Sequence, residues 1–316
     1  MKISSEKHSG NIIFILLSLT LLIGFFFNED SAGSGGFIAD YENTWPYIEV
    51  LKKSLFVLPW GENQYVGHTP LHFIILSKIY ILIEDKYFIR LIFCLFSISI
   101  PILFYLCLKI NYPNENKNNL LILSSLTFLF PSFRSGAIWA ADHITALFFF
   151  LLFLFYYSKW VKESNFEKLT KNIYLQIFFL ALAVYSRQYY ALVYMYCMYI
   201  YFNKLNLFNF LKLSSIIFFL AIPGFLLVYF DPFLVKTTWD SKFYNSVLIN
   251  SSILSFYLIP IFFAILFLSR EKFIFKKNQK ISLFLVSVVI VVFLSILFDY
   301  NFKLGGGYFL KLSYLI

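Results

Sequence analysis

Few ionisable residues interrupt this apolar sequence, so each can be weighed for the chemistry it could do. A stretch between two apolar runs carries Asp40, Glu42, Glu49, Glu62, His68 and His72. A second boundary, PSFRSGAIWAADHITALFFF, carries Arg134, Asp142 and His143, and a third, LAVYSRQYYALVY, carries Arg187 and Gln188. Carboxylates can take a proton from an attacking hydroxyl, hold a cation or cap a helix. Guanidinium and imidazole groups can bind an anion or stabilise negative charge as it develops. Arg187 and Gln188 sit in a turn flanked by apolar and aromatic runs, and an arginine at the edge of hydrocarbon is costly unless it is paired or faces a cavity. Structural roles compete at each position. Asp40 fits a loop acid or N-cap as well as a reactive carboxylate, with Glu42 as the alternative. Asp142 would cap a helix that begins at His143, Arg134 would snorkel to an interface, and the histidines would be interfacial side chains.

Other chemistries find less support. There is no H-E-x-x-H and no metal-spaced cluster, which leaves a divalent metal open but unassigned. Lys303 precedes Gly305-Gly306-Gly307, where the backbone could approach a phosphate closely. The Lys-Ser/Thr of a P-loop is missing. Cys94, Cys107 and Cys197 all lie in apolar runs and read as small core residues. Trp45, Trp60 and Trp139 fall in the same boundary stretches and could stack on a sugar ring.

The elements that must position these residues are apolar and long. Of 316 residues 60% are apolar and 14% charged, where a soluble domain carries about a quarter charged residues. Predicted membrane spans cover about 11–27, 88–108, 119–133, 143–157, 173–186, 189–202, 213–230, 252–269 and 281–298, with a further one from Tyr308. The apolar segment 70–83 is short for a span and predicts an interfacial or re-entrant helix. This is an all-α, polytopic bundle of nine or ten spans in one domain, 1–316, with a long structured first loop at 28–87. Only nine residues follow Gly307, so the last helix either stops half-way or continues in a longer polypeptide.

Charge sets the orientation. With a cytoplasmic N-terminus, the cytoplasmic loops hold 15 of the 26 basic residues and 5 of the 17 acidic ones, leaving 11 basic and 12 acidic elsewhere. The net +9 therefore resolves into +10 inside and −1 outside, the bias expected of a multi-pass membrane protein. It is a topology signal, with contact to anionic membrane lipids, and argues against nucleic acid as a partner. The motif-like residues then gather on the non-cytoplasmic side. Lysine-, asparagine- and isoleucine-rich usage points to a bacterial inner membrane, with the endoplasmic reticulum as the alternative.

The order of these features resembles the GT-C superfamily of polytopic glycosyltransferases. It is most similar to the dolichyl-phosphate-glucose-dependent α-1,2-glucosyltransferases, which add the terminal glucose to a dolichol-linked oligosaccharide. The resemblance rests on Asp40, on Thr69, Pro70 and Leu71, on Phe130-Pro131, on Asp142 and on Arg187-Gln188. It departs at Tyr41, where a second acid is usual, at Tyr189-Tyr190 in place of Thr-Asn, and at the triple glycine. The resemblance implies transfer of a sugar from a polyprenyl-phosphate carrier to a hydroxyl of a glycan, glycolipid or protein, with inversion. It implies that Asp40 is the general base and that Asp142 orients the acceptor or holds a cation. Arg187, Arg134, His68 or His143 would meet the departing phosphate, with Gln188 beside them. A lipid or glycan transporter or flippase and a non-catalytic assembly subunit are the competing functions. Transport predicts ionisable residues near mid-span, and this sequence gathers them at one surface instead.

Overall fold

The computed structural model describes residues 9–30, 37, 41–53, 68–163 and 169–230. The chain divides into two compact units, Met1–Lys236 and Thr237–Ile316, and every described residue belongs to the first. Asp40, Glu62, Trp60, Lys303, the triple glycine and the predicted spans from 252 onward lie outside the described residues.

The described residues are all-helical. α1 spans Ser9–Phe26, α2 Trp45–Lys53, α3 Leu71–Ile83, α4 Lys86–Ser97, α5 Ser99–Asn111 and α6 Lys117–Ser125. Then come α7 Pro131–Ile138, α8 Asp142–Val161, α9 Lys171–Ser186, α10 Ala191–Lys204 and α11 Leu207–Phe230. Among the described residues four helical stretches are long and apolar enough to cross a membrane: Ser9–Phe26, Lys86–Asn111, Asp142–Val161 and Leu207–Leu227. A bent pair, Lys117–Leu129 with Pro131–Ile138, makes a fifth if counted as one. The segment expected to be too short for a span is α3, at 13 residues.

Local chemistry explains the ends and breaks. Asp85 caps α4 by accepting from the Tyr87 and Phe88 amides at 2.8 and 3.2 Å. Asn116 caps α6 in the same way through the Asn118 amide, 2.9 Å. The sequence predicts one span over 119–133, but the chain turns by 69° between Leu129 and Pro131. The cause is proline: Phe130, the residue before it, is driven to an extended conformation (φ −72°, ψ 121°), and Pro131 starts a new helix at its first position. Pro223 interrupts α11. One turn of its ladder is re-bridged from outside, where the Tyr185 hydroxyl donates to the Leu220 carbonyl and accepts from the Gly224 amide at 3.1 Å.

Two apolar cores hold the helices. In the first, Phe25 of α1, Ile48 of α2, Phe73 of α3, Phe93 of α4 and Ile144 of α8 belong to one buried cluster with Trp139. In the second, Phe153 and Trp160 of α8 pack with Ile177 of α9, Tyr201 of α10 and Leu213 of α11. All three cysteines are buried and free, in accord with their sequence reading. By contrast, α10 and α11 turn large apolar side chains outward, including Met195 (72% exposed), Phe208 (77%) and Phe219 (69%). Such a surface needs an apolar covering.

α8 and α9 form the closest helix pair, an antiparallel hairpin of 20 and 16 residues. The first residue of α8 and the residue after α9 therefore share one end of the hairpin. Those residues are Asp142 and Arg187.

Candidate functional site

The approach to Asp142 is a tight turn. After α7, Trp139 donates its amide to the Ser135 carbonyl at 2.9 Å, and Ala140 takes a left-handed conformation, φ 54°. A residue with a Cβ is strained there by roughly 1 kcal/mol or more. Ala141 returns the chain to the extended region and is the N-cap of α8. Asp142 is thus the first residue inside the helix, not its cap, and no side-chain cap is formed. Its carboxylate is released for another contact while the helix N-terminus favours its negative charge.

That contact is Arg187, whose Nη2 meets Asp142 Oδ1 at 2.5 Å. The side chains are 3% and 16% exposed, so the pair is buried at Asp142 and reaches the surface at Arg187. Arg187 ends α9 in an extended conformation, with its amide on the Ala183 carbonyl at 2.8 Å. Gln188 opens the 3₁₀ turn Gln188–Tyr190 that follows. The pair is monodentate: Asp142 Oδ2 and Arg187 Nε are buried and have no hydrogen-bond partner.

The His68-Thr69-Pro70-Leu71 segment docks on the same place. The Thr69 hydroxyl donates to the Val184 carbonyl at 2.9 Å, one of the last-turn carbonyls that α9 cannot satisfy internally. Arg187 Nη1 lies 3.4 Å from His68 Nδ1. A guanidinium only donates, so His68 Nδ1 presents its lone pair, and in this geometry the imidazole is neutral. One turn into α3, His72 is buried between two elements of the site. Its Nε2 donates to the Ala140 carbonyl at 2.9 Å, and its Nδ1 lies 2.8 Å from the Thr145 hydroxyl. Burial holds the His72 pKa down at about 4, so it too is neutral. The strained Ala140 carbonyl is therefore fixed by His72, which positions the turn that delivers Asp142.

His143 faces the opposite side of the turn, 3.4 Å from the Ser132 carbonyl. Gly136 makes room for it: a Cβ there would overlap the imidazole and lie 2.8 Å from its Cε1.

Two other expected site residues stand elsewhere. Arg134 is engaged with Glu29 through both carboxylate oxygens, Nε to Oε1 at 2.7 Å and Nη2 to Oε2. It also donates to the Thr20 hydroxyl and carbonyl at 3.1 and 3.0 Å and to the Phe128 carbonyl at 3.2 Å. Glu42 lines a separate cavity of about 430 Å³ with Tyr41, Trp45, Pro46, Glu49 and Lys86. In its wall Lys86 pairs with Glu49 at 2.9 Å. Neither Asp142 nor Arg187 lines that cavity. Among the described residues no group of His, Cys, Asp and Glu side chains could hold a metal ion.

Sequence reasoning passed over Arg90. It is 6% exposed, stacks 3.8 Å from the Trp139 ring and donates to the Ile138 carbonyl at 3.1 Å and to Asn28 Oδ1 at 3.2 Å. It braces the end of α7 from which the Asp142 turn departs. Its signal was present: one arginine inside an apolar run calls for a partner.

No family model matches the chain, and it matches neither a curated protein nor a solved structure.

Proposed function

We propose that the chain is a multi-pass membrane glycosyltransferase that moves a sugar from a polyprenyl-phosphate carrier to a hydroxyl of a glycan, glycolipid or protein. One observation carries the reading. Three of the segments on which the GT-C resemblance rests, Thr69 with its neighbours, Asp142 and Arg187, meet at one end of the α8–α9 hairpin. They stand as much as 119 residues apart in sequence. A protein needing only a stable bundle has no use for a buried ion pair with two unpartnered atoms at such a junction, because burying unpaired polar groups costs free energy.

The outward apolar faces of α10 and α11 supply the lipid contact such an enzyme needs. The topology that the charges favour puts the site on the non-cytoplasmic side, of a bacterial inner membrane or of the endoplasmic reticulum. There a carrier-linked sugar sits at the interface. An inverting transfer is one displacement: the acceptor oxygen attacks C1, the C1–O bond to the carrier phosphate breaks, and a base removes the acceptor proton. The resemblance gives the base role to Asp40, which lies outside the described residues.

The test is hexose transfer from radiolabelled polyprenyl-phosphate hexoses by membranes containing the full chain, with mass spectrometry of lipid-linked sugars and surface glycans. Transfer is expected to need the protein and to fall about 100-fold or more in Asp40→Asn at equal expression. Wild-type transfer by Asp40→Asn overturns the base assignment. Lipid-linked sugars and glycans that are identical with and without the protein overturn the transferase reading.

A further inference from the structure

The charge balance of the Asp142–Arg187 site contradicts the simplest role for Arg187, that of a clamp on the carrier phosphate. Its positive charge is met by Asp142 at 2.5 Å, and the imidazoles of His68 and His72 on either side are neutral as they are hydrogen-bonded. These four groups sum to zero. A phosphate brought there would gain one guanidinium and face one carboxylate at the same distance scale, with no net attraction. A metal cation would meet the reverse problem.

What the pair lacks is specific. Asp142 Oδ2 has no donor, and Arg187 Nε–H has no acceptor, although both are buried. Oδ2 shares its carbon with Oδ1, and Nε shares its carbon with Nη2, so both unpartnered atoms belong to the two groups joined by the Oδ1–Nη2 contact. A group able to give one hydrogen bond and receive another satisfies both. An ionised phosphate oxygen can only accept, and a cation cannot accept at all, whereas a hydroxyl does both. The Arg187 side chain is 16% exposed, so the pair reaches the surface on the arginine side.

We propose that the Asp142–Arg187 pair is a hydroxyl-binding subsite: Asp142 Oδ2 accepts from a sugar hydroxyl whose oxygen accepts from Arg187 Nε, and the carrier phosphate is held elsewhere. This deepens the transferase reading and rests on it for the identity of the hydroxyl as a sugar's. Asp142 and Arg187 then select and orient a sugar ring. A site built to hydrogen-bond a hydroxyl also discriminates strongly against ligands without one.

The full chain in nanodiscs is tested by equilibrium binding of three radiolabelled probes: polyprenyl phosphate, polyprenyl-phosphate hexose and methyl hexoside. Asp142→Asn is expected to weaken at least one sugar-bearing probe about 10-fold or more while polyprenyl phosphate binds as to wild type. Loss confined to the carrier-linked hexose assigns the donor sugar, and loss on methyl hexoside assigns the acceptor. Arg187→Lys keeps the charge but lacks Nε and is expected to show the same sugar-selective loss, so the test survives misfolding of either variant. Weaker binding of polyprenyl phosphate itself, steeper at low salt, makes Arg187 a phosphate clamp and overturns the proposal. So does unchanged binding of both sugar-bearing probes. Asp142-dependent binding of methyl hexoside without any hexose transfer would leave the subsite standing and remove the transferase. Transfer that is normal in both variants would remove the subsite alone.

Discussion

Among the described residues two guanidinium–carboxylate pairs, Glu29–Arg134 and Asp142–Arg187, join helix ends, and they differ in how completely they are used. Arg134 grips both oxygens of Glu29 and spends its remaining donors on Thr20 and Phe128, tying α1 to the bend before α7. Gly24 leaves room for the pair, since a Cβ there would lie 2.8 Å from Arg134 Nη2. Arg187 touches one oxygen of Asp142 and leaves Nε unused, and Asp142 leaves Oδ2 unused. The first pair is complete and its work is cohesion. The second is more deeply buried at its acid yet incomplete, which is the form a site takes when part of its coordination comes from a ligand. Residue type does not separate them, but coordination does.

The largest effect that separates the two pairs is on activity. Asp142→Asn should lower hexose transfer per folded molecule by about 100-fold, the scale expected when a substrate group is misplaced, and should also cost about 1–3 kcal/mol of stability by leaving the mostly buried Arg187 without its counter-charge. Glu29→Gln should act on stability alone. It leaves a mostly buried guanidinium short of its counter-charge and should cost about 1–3 kcal/mol of stability, while transfer per folded molecule holds. Thermal unfolding in detergent, read beside the transfer assay, decides between them.

His72, on the 13-residue α3, which is too short to span, offers a smaller and pH-dependent effect. Its folded pKa of about 4 lies below the usual 6.5, so between those values the unfolded chain binds a proton that the folded chain refuses. Stability from the neutral His72 contacts is therefore full above pH 6.5 and drains as pH falls towards 4, on the order of 1–2 kcal/mol by pH 5. His72→Gln should flatten that slope in melts from pH 7 to 5. An unaltered slope would show that His72 is not the group responsible.

The smallest contrast lies in two glycines. Gly24→Ala presses on the Glu29–Arg134 pair and should cost about 1 kcal/mol with transfer unaffected. Gly136→Ala presses on the His143 ring next to Asp142 and should reduce transfer by a few-fold. Equal effects of both on transfer would erase the distinction between the two regions.

Much of this could be read in advance, and the parts that could not have physical reasons. The apolar runs translate into α1, α4 with α5, α8 and α11, because helices that must bury or cover every face leave a signal in composition alone. The shortness of 70–83 foretold α3 as a 13-residue helix. The break at Phe130-Pro131 was legible through the rule for residues before proline, yet the apolar run through it outweighs that rule when spans are read by hydropathy. Charge placed Asp142 and Arg187 on one side, and the α8–α9 hairpin supplies the contact. The Glu29 partner of Arg134 lies 105 residues away, and no periodicity links such positions. Asp142 as a helix cap was a sound local expectation. It gives way because Ala140 takes the left-handed turn and passes the capping position to Ala141.

If the incomplete pair works and the complete pair holds, the two arginines respond differently to loss of the guanidinium plane. The most direct measurement is transfer activity against thermal unfolding for Arg187→Lys and Arg134→Lys, side by side in nanodiscs. The expected result is that Arg187→Lys loses transfer by about 10-fold or more at near-wild-type stability, and that Arg134→Lys loses stability while each folded molecule still transfers. Transfer lost in Arg134→Lys but retained in Arg187→Lys would contradict it.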